Sequence, residues 1–144
     1  MAEGAYGKAY GKMGIARFYA LVFGIAYIGV AILELFYPES DPLTIGDTVI
    51  LERTVLQNVV HFAVGIVVLG SFFAGEMAAR NVARVIGVVF VILTIYGFAG
   101  PDSLGELLGY EGDIPVVYNI IHLATAVLAL FAGFAGRRAS PATA

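Results

Sequence analysis

The chain has 144 residues, 60% of them hydrophobic and 13% charged, with a mean hydropathy of +0.89 and a formal net charge of −3. A soluble domain carries roughly 25% charged residues, so the balance excludes one and indicates a membrane chain. There is no cysteine, which excludes disulfides, thiolate metal sites and covalent c-type haem attachment, and no basic surface that would serve nucleic acid.

A glycine-rich start, residues 1–14, contains the tandem AYGKAYGK at 5–12. It reads as a loose cytoplasmic tail, resting on anionic headgroups at about 1 kcal/mol per lysine or docking a larger complex. The first long apolar run extends from Ile15 to Phe36. A bilayer core roughly 30 Å thick needs about 20 such residues. The run is longer than a signal-peptide core and lacks a small-x-small cleavage site, so it is expected to be retained as a span. Three further spans follow, Val55 to Gly75, Val82 to Gly100 and Val116 to Gly136. Lipid offers no partner to backbone N–H and C=O groups, and the alternation of a barrel strand is missing, so all four must be helices.

The segments between them are polar. Residues 39–54, with TIGDTVIL, form either a turn with an extended stretch or a surface helix. In PDSLGELLGYEGD, Ser103 and Glu106 make a Ser-x-x-Glu capping box and Gly109 a stop, which predicts a short interfacial helix over 103–109 lying across the outer mouth of the bundle. Arg80 and Arg84 are placed in the short loop between spans two and three, and RRASPATA closes the chain as a basic anchor and tail, 137–144. Tyr37, Tyr96, Tyr110 and Tyr118 are expected to anchor in the outer headgroup layer.

Charge sets the orientation. Seven of the eight cations, all but Arg53, fall on one side of this arrangement, and most acids on the other. Short loops rich in Lys and Arg stay cytoplasmic, so both termini are predicted there, in a multi-pass protein of the cell membrane.

The chain also matches itself. ARFYALVFG at 16–24 is similar to ARVIGVVFV at 83–91, and LQNVVHFAVG at 56–65 to VYNIIHLATA at 117–126. The predicted fold is all-α, an integral membrane four-helix bundle built from two parallel two-span repeats, 15–75 and 82–136, related by an axis along the membrane normal. Ala20/Gly24, Ala129/Gly133, Gly87 and Gly97 have the small-residue spacing of close helix contacts.

The two histidines, His61 and His122, each follow an asparagine, Asn58 and Asn119, by three residues, and so share its face. Both lie roughly 4–5 Å to the outer side of mid-span. Gly65 and Ala126, one turn further in, are read as leaving room beside each ring. Polar groups within spans turn toward the bundle interior, so both imidazoles are expected to face its centre.

The Ala-Arg openings at Ala16-Arg17 and Ala83-Arg84, together with the paired Asn-x-x-His, resemble a family of small bacterial four-span membrane proteins catalogued only as a domain of unknown function. The resemblance covers about Gly14 to Gly136. It implies a four-helix membrane bundle and supplies no activity.

Three readings of the histidines stand side by side. In the first, Asn58, His61, Asn119 and His122 bond across helices and lock the repeats together in a non-catalytic structural or accessory protein, each bond worth roughly 0.6–2 kcal/mol. In the second, both imidazoles ligate haem b or another tetrapyrrole between spans two and four, as in an electron-transfer module. The asparagines would then set the ring tautomers, Gly65 and Ala126 would make room for the macrocycle, and Arg53 would meet a propionate. A bare metal ion on His61 and His122 has only half of a usual zinc shell. The third reading is a small transporter or proton relay. Against it, no acid lies in mid-span. Glu34 is placed near the interface, roughly 8–9 Å above the histidine level, and Arg53 beside Asp47 or Glu52. Only Thr125 sets a hydroxyl near a histidine, so no catalytic constellation is found. The lipid bilayer is one partner; a homo-oligomer and a larger membrane complex both stay open.

Overall fold

A computed structural model of the chain describes residues 13–38 and 40–135. Both tails, with AYGKAYGK and RRASPATA, lie outside the described residues. Four long helices form, α1 (Ile15–Glu34), α2 (Val55–Ala74), α3 (Glu76–Ala99) and α5 (Val116–Phe134), and each is long and apolar enough to cross a membrane. A two-stranded hairpin, β1 (Leu43–Ile45) and β2 (Thr48–Leu51), follows α1, and a short helix α4 (Pro101–Leu108) follows α3.

The third span begins at Glu76, six residues before the expected Val82, so Arg80 and Arg84 are helical and not in a loop. Gly75, at φ +102°, is all that joins α2 to α3. Glu76 explains the early start. Its carboxylate suits the first turn of α3 and also accepts from the backbone N–H groups of Ala16, at 3.4 Å, and Arg17, at 3.1 Å, at the start of α1. Arg80 Nε donates back to it at 3.3 Å, so the apparent loop is held as helix by its own charges.

The segment after α1 is the hairpin, paired Thr44 to Val49 and Ile45 to Thr48. Gly46 and Asp47 form the connection, with positive φ confined to Gly46, as a tight two-residue turn with a leading glycine requires. The Arg53 N–H donates to Tyr37 O at 3.0 Å, returning the chain to the end of α1. In α4 the expected capping box is not made. The helix starts at Pro101 with Gly100 as N-cap and no side-chain cap, since proline is pre-set for the first helical position. It ends where predicted, on Gly109 at φ +89°.

The packing inverts that of a soluble protein. The interior is built from small residues: Ala16, Ala20, Ala31, Ala79, Ala83, Ala126, Ala129 and Ala132 are all at most 2% exposed. Phe18, Ile25, Ile66, Phe73, Val85 and Phe131 point outward. Lipid gives no hydrophobic drive for one helix to seek another, so close backbone approach must supply the association. α1 packs chiefly on α2 and α3 chiefly on α5, α1 and α3 touch across the middle, and α2 and α5 stand apart on the long diagonal.

Two arginines hold matching positions at one end of the bundle. Arg17 Nε donates to Phe72 O at 3.1 Å with its guanidinium over the Phe72 ring, and Arg84 Nε donates to Gly133 O at 2.9 Å with its guanidinium over Phe134. Each satisfies a carbonyl in the last turn of the neighbouring helix, where cations are favoured.

Candidate functional site

At the opposite end the bundle encloses a cavity of about 290 Å³, at the lower limit of pockets that hold small molecules. His61 of α2 and His122 of α5 both line it, so the structure brings the two sequence-predicted imidazoles to one space. Tyr27 and Phe90 complete a run of rings: His61 to Tyr27 is 6.2 Å between centroids, Tyr27 to Phe90 6.0 Å, and Phe90 to His122 5.3 Å. Ile50 and Leu51 of the hairpin, with Leu108 and Ile114 around α4, form the roof.

The residue that organises the site was not expected there. Glu34, fully buried, accepts from His61 Nδ1 at 2.7 Å, from Gln57 Nε2 at 3.1 Å and from Asn58 Nδ2 at 2.9 Å. Three N–H groups converge on two oxygens, and a carboxylate accepts them all. The contact through Nδ1 holds the His61 ring in place, the carboxylate-imidazole arrangement that fixes ring orientation.

Helical rise along α1 placed Glu34 well above the histidines, yet the two side chains meet. In a helix every Cα–Cβ bond leans toward the N-terminus. α1 and α2 are antiparallel, so Glu34 leans down its span while His61 leans up its own. A long side chain on each closes the remaining gap.

The polar pairs do not lock one half of the chain to the other. Asn58 Nδ2 also donates to Ala31 O at 2.7 Å, so the bonds of Asn58 and His61 close on α1 within the first half. In the second half Asn119, 1% exposed, lies against Gly97 of α3. Asn119 Oδ1 and His122 Nδ1 are buried and have no hydrogen-bond partner among the described residues.

The room expected beside the rings is absent. A Cβ built on Gly65 would lie 2.6 Å from Ile28 Cγ1 and 3.2 Å from Tyr27 Cβ, so α1 fills that space. Ala126 is fully buried in the core. Nor does Arg53 face the histidines: it lines a separate outer pocket with Ser40 and Thr54 beside the start of α2.

Tyr96 is exposed at 40%, as a headgroup anchor is, but Tyr110 and Tyr118 are buried. They pack with Leu104 and Ile114 beneath α4. Burial, and then the neighbouring Tyr118, Glu52 and Glu34, push the Tyr110 phenol well up from its ordinary range. Thr54 ties this roof down, donating through Oγ1 to Leu108 O at 2.6 Å and accepting from the Gln57 N–H at 3.2 Å as the N-cap of α2. Thr125 lines the cavity.

Residues 46–135 match the family model described as Domain of unknown function (DUF4383). No curated protein and no solved structure matches the chain.

Proposed function

The chain belongs to the family described as Domain of unknown function (DUF4383), and from that premise we propose that it is a non-catalytic multi-pass membrane protein that holds a small lipophilic molecule inside its bundle. One observation carries the reading: both histidines line a single roofed, mostly apolar cavity, one imidazole held by Glu34 and the other packed on Phe90 with its Nδ1 free of a hydrogen-bond partner among the described residues. A ligand pocket is an apolar concavity with a few convergent polar groups, and Phe23, Val30, Phe90 and Leu93 supply the apolar part here.

The polar pairs retain a structural task in this reading. Asn58 and Glu34 clamp α2 to α1, and the clamp orients His61. The two-repeat architecture is part of the proposal. It is supported by the equivalent arginine bonds at Phe72 and Gly133, which fall in the same register that aligns His61 with His122.

Replacing Thr125 with Phe fills the cavity while leaving the Glu34 clamp untouched. Mass spectrometry of organic extracts should find a small lipophile with the wild-type protein, purified in mild detergent, and several-fold less with the folded variant. Equal amounts in both would sink the reading. A Soret band in the wild-type protein, lost in His61→Ala and His122→Ala, would assign a tetrapyrrole instead.

We place both termini on the cytoplasmic side, because Arg17, Arg80 and Arg84 gather at one end of the bundle and Asp41, Asp47, Asp102, Glu106, Glu111 and Asp113 at the other. A cysteine introduced at Arg138 of this cysteine-free chain should react with an impermeant maleimide only in inverted vesicles. Labelling in intact cells would reverse the orientation.

A further inference from the structure

We propose that the occupant of the cavity is a lipid with one straight hydrocarbon chain and a neutral hydroxyl head, lying parallel to the spans between α1 and α5 with its head under the hairpin. The inference rests on the binding reading above and deepens it.

The lining residues give the cavity its shape. On α1 they include Phe23, Tyr27, Val30 and Glu34, and on α5 Tyr118, His122 and Thr125. Spacings of three and four residues keep each set on one face of its helix, so the cavity follows both helices lengthwise. α1 and α5 touch only lightly. From Phe23 to Glu34 is eleven residues, roughly 16 Å of helical rise. A volume of about 290 Å³ over that length leaves a cross-section of roughly 18 Å². Apolar atoms in contact lie about 4–4.5 Å apart, so one methylene chain fills about 16–20 Å². The slot is one chain wide. A two-chain lipid or a steroid needs more.

The two ends of the slot differ. Phe23 closes it toward the middle of the membrane, and Glu34, Gln57 and His61 stand at the outer end beneath Ile50 and Leu51 of the hairpin. Glu34 is fully buried and already engaged by Gln57, Asn58 and His61, so the head meets the half-buried side chains of Gln57 and His61. A hydroxyl both donates and accepts, and so suits an imidazole in either protonation state and a carboxamide at either atom. A carboxylate or phosphate head would face the Glu34 carboxylate in a medium that screens poorly.

The chain comes from the bilayer. The hairpin and α4 cover the slot at the water end, whereas Ala26, Val60 and Ile121 line it and are also exposed on the flank of the bundle.

Carbon–carbon bonds of about 1.5 Å at about 111° advance an extended chain by about 1.25 Å each, so the slot takes about a dozen carbons. The test therefore uses 1-dodecanol, 6-dodecanol and n-dodecane, added to the full chain in digitonin, a steroid detergent too wide for the slot. A ligand that binds only the folded state raises Tm more the tighter it binds. 1-Dodecanol should act at about five- to tenfold lower concentration than n-dodecane, the worth of one net hydrogen bond. 6-Dodecanol has the same atoms but carries its hydroxyl in mid-chain, and should act no more strongly than n-dodecane. A second measurement needs no variant: 1-dodecanol with a diazirine at carbon 11 should, on irradiation, label α1 around Phe23 and Ala26. Equal shifts from the two alcohols overturn the single end-on chain, equal shifts from 1-dodecanol and n-dodecane overturn the hydroxyl head, and label on the hairpin overturns the orientation. If all three probes raise Tm alike and Thr125→Phe abolishes the shifts, the cavity reading survives that failure. If none raises Tm, or the shifts persist unchanged in Thr125→Phe, both proposals fall.

Discussion

Replacing Glu34 with Ala should cost about 2–3 kcal/mol of stability, since a buried donor left without its partner costs about 1–3 kcal/mol. The carboxylate is fully buried and is the acceptor for Gln57, Asn58 and His61. Without it, Gln57 and His61 lose a partner in a half-buried site, while Asn58 keeps Ala31 O. Single hydrogen bonds between membrane helices average only about 0.6 kcal/mol, so the size of the effect tells the two descriptions apart. A loss below about 1 kcal/mol would mean that the three contacts are ordinary interhelical bonds and not one coupled cluster. Glu34→Gln should fall between the two. Its oxygen still accepts, but its NH2 group meets donors, and only His61 is able to change tautomer to receive it. Reversible unfolding in mixed micelles, followed by circular dichroism, gives all three values.

The second large effect is expected at the contact between α1 and α2. A Cβ on Gly24 would lie 2.7 Å from Leu69 N, Cα and Cβ, and backbone atoms do not move aside as a side chain does. Gly24→Val should therefore part the helices and cost about 1–3 kcal/mol, the usual penalty of overpacking. Gly29, on the same helix, has nothing within 4 Å of its would-be Cβ, so Gly29→Val should leave unfolding almost unchanged. Equal effects at the two positions would show that the loss at Gly24 reflects valine in a helix and not the close approach. Because α1 carries Tyr27 and Glu34 to the cavity, Gly24→Val should also lower the amount of lipophile that co-purifies, whereas Gly29→Val should not.

The arrangement joins stability to binding through one residue. Glu34 holds α1 to α2 and, in the same contact, spends His61 Nδ1 on the protein, so His61 is part of the wall. His122 Nδ1 has no such partner among the described residues.

Much of this was legible in the residues. Length and hydropathy dictated four spans, because a bilayer admits an apolar segment only as a closed helix, and three of the four start where they were expected to. The small residues at Ala20, Gly24, Gly87, Gly97, Ala129 and Gly133 marked faces that lie in contact. The repeated Asn-x-x-His marked the cavity, since an ionisable group in a span has nowhere else to turn.

What periodicity along one helix does not contain is the register between helices. Helical rise gave Glu34 and His61 different heights and missed their contact, because side-chain tilt in an antiparallel pair closes a gap that backbone heights leave open. Tyr110 and Tyr118 read as headgroup anchors, yet α4 folds over them, and an amphipathic ring is content in either place. The start of α3 at Glu76 depended on a carboxylate finding the N-terminus of a helix some sixty residues earlier in the chain. The sequence by itself determined which segments are buried in lipid, because transfer from water depends on composition alone. Which polar atoms meet within them was decided only by the tertiary structure, because that depends on how antiparallel helices are set against one another.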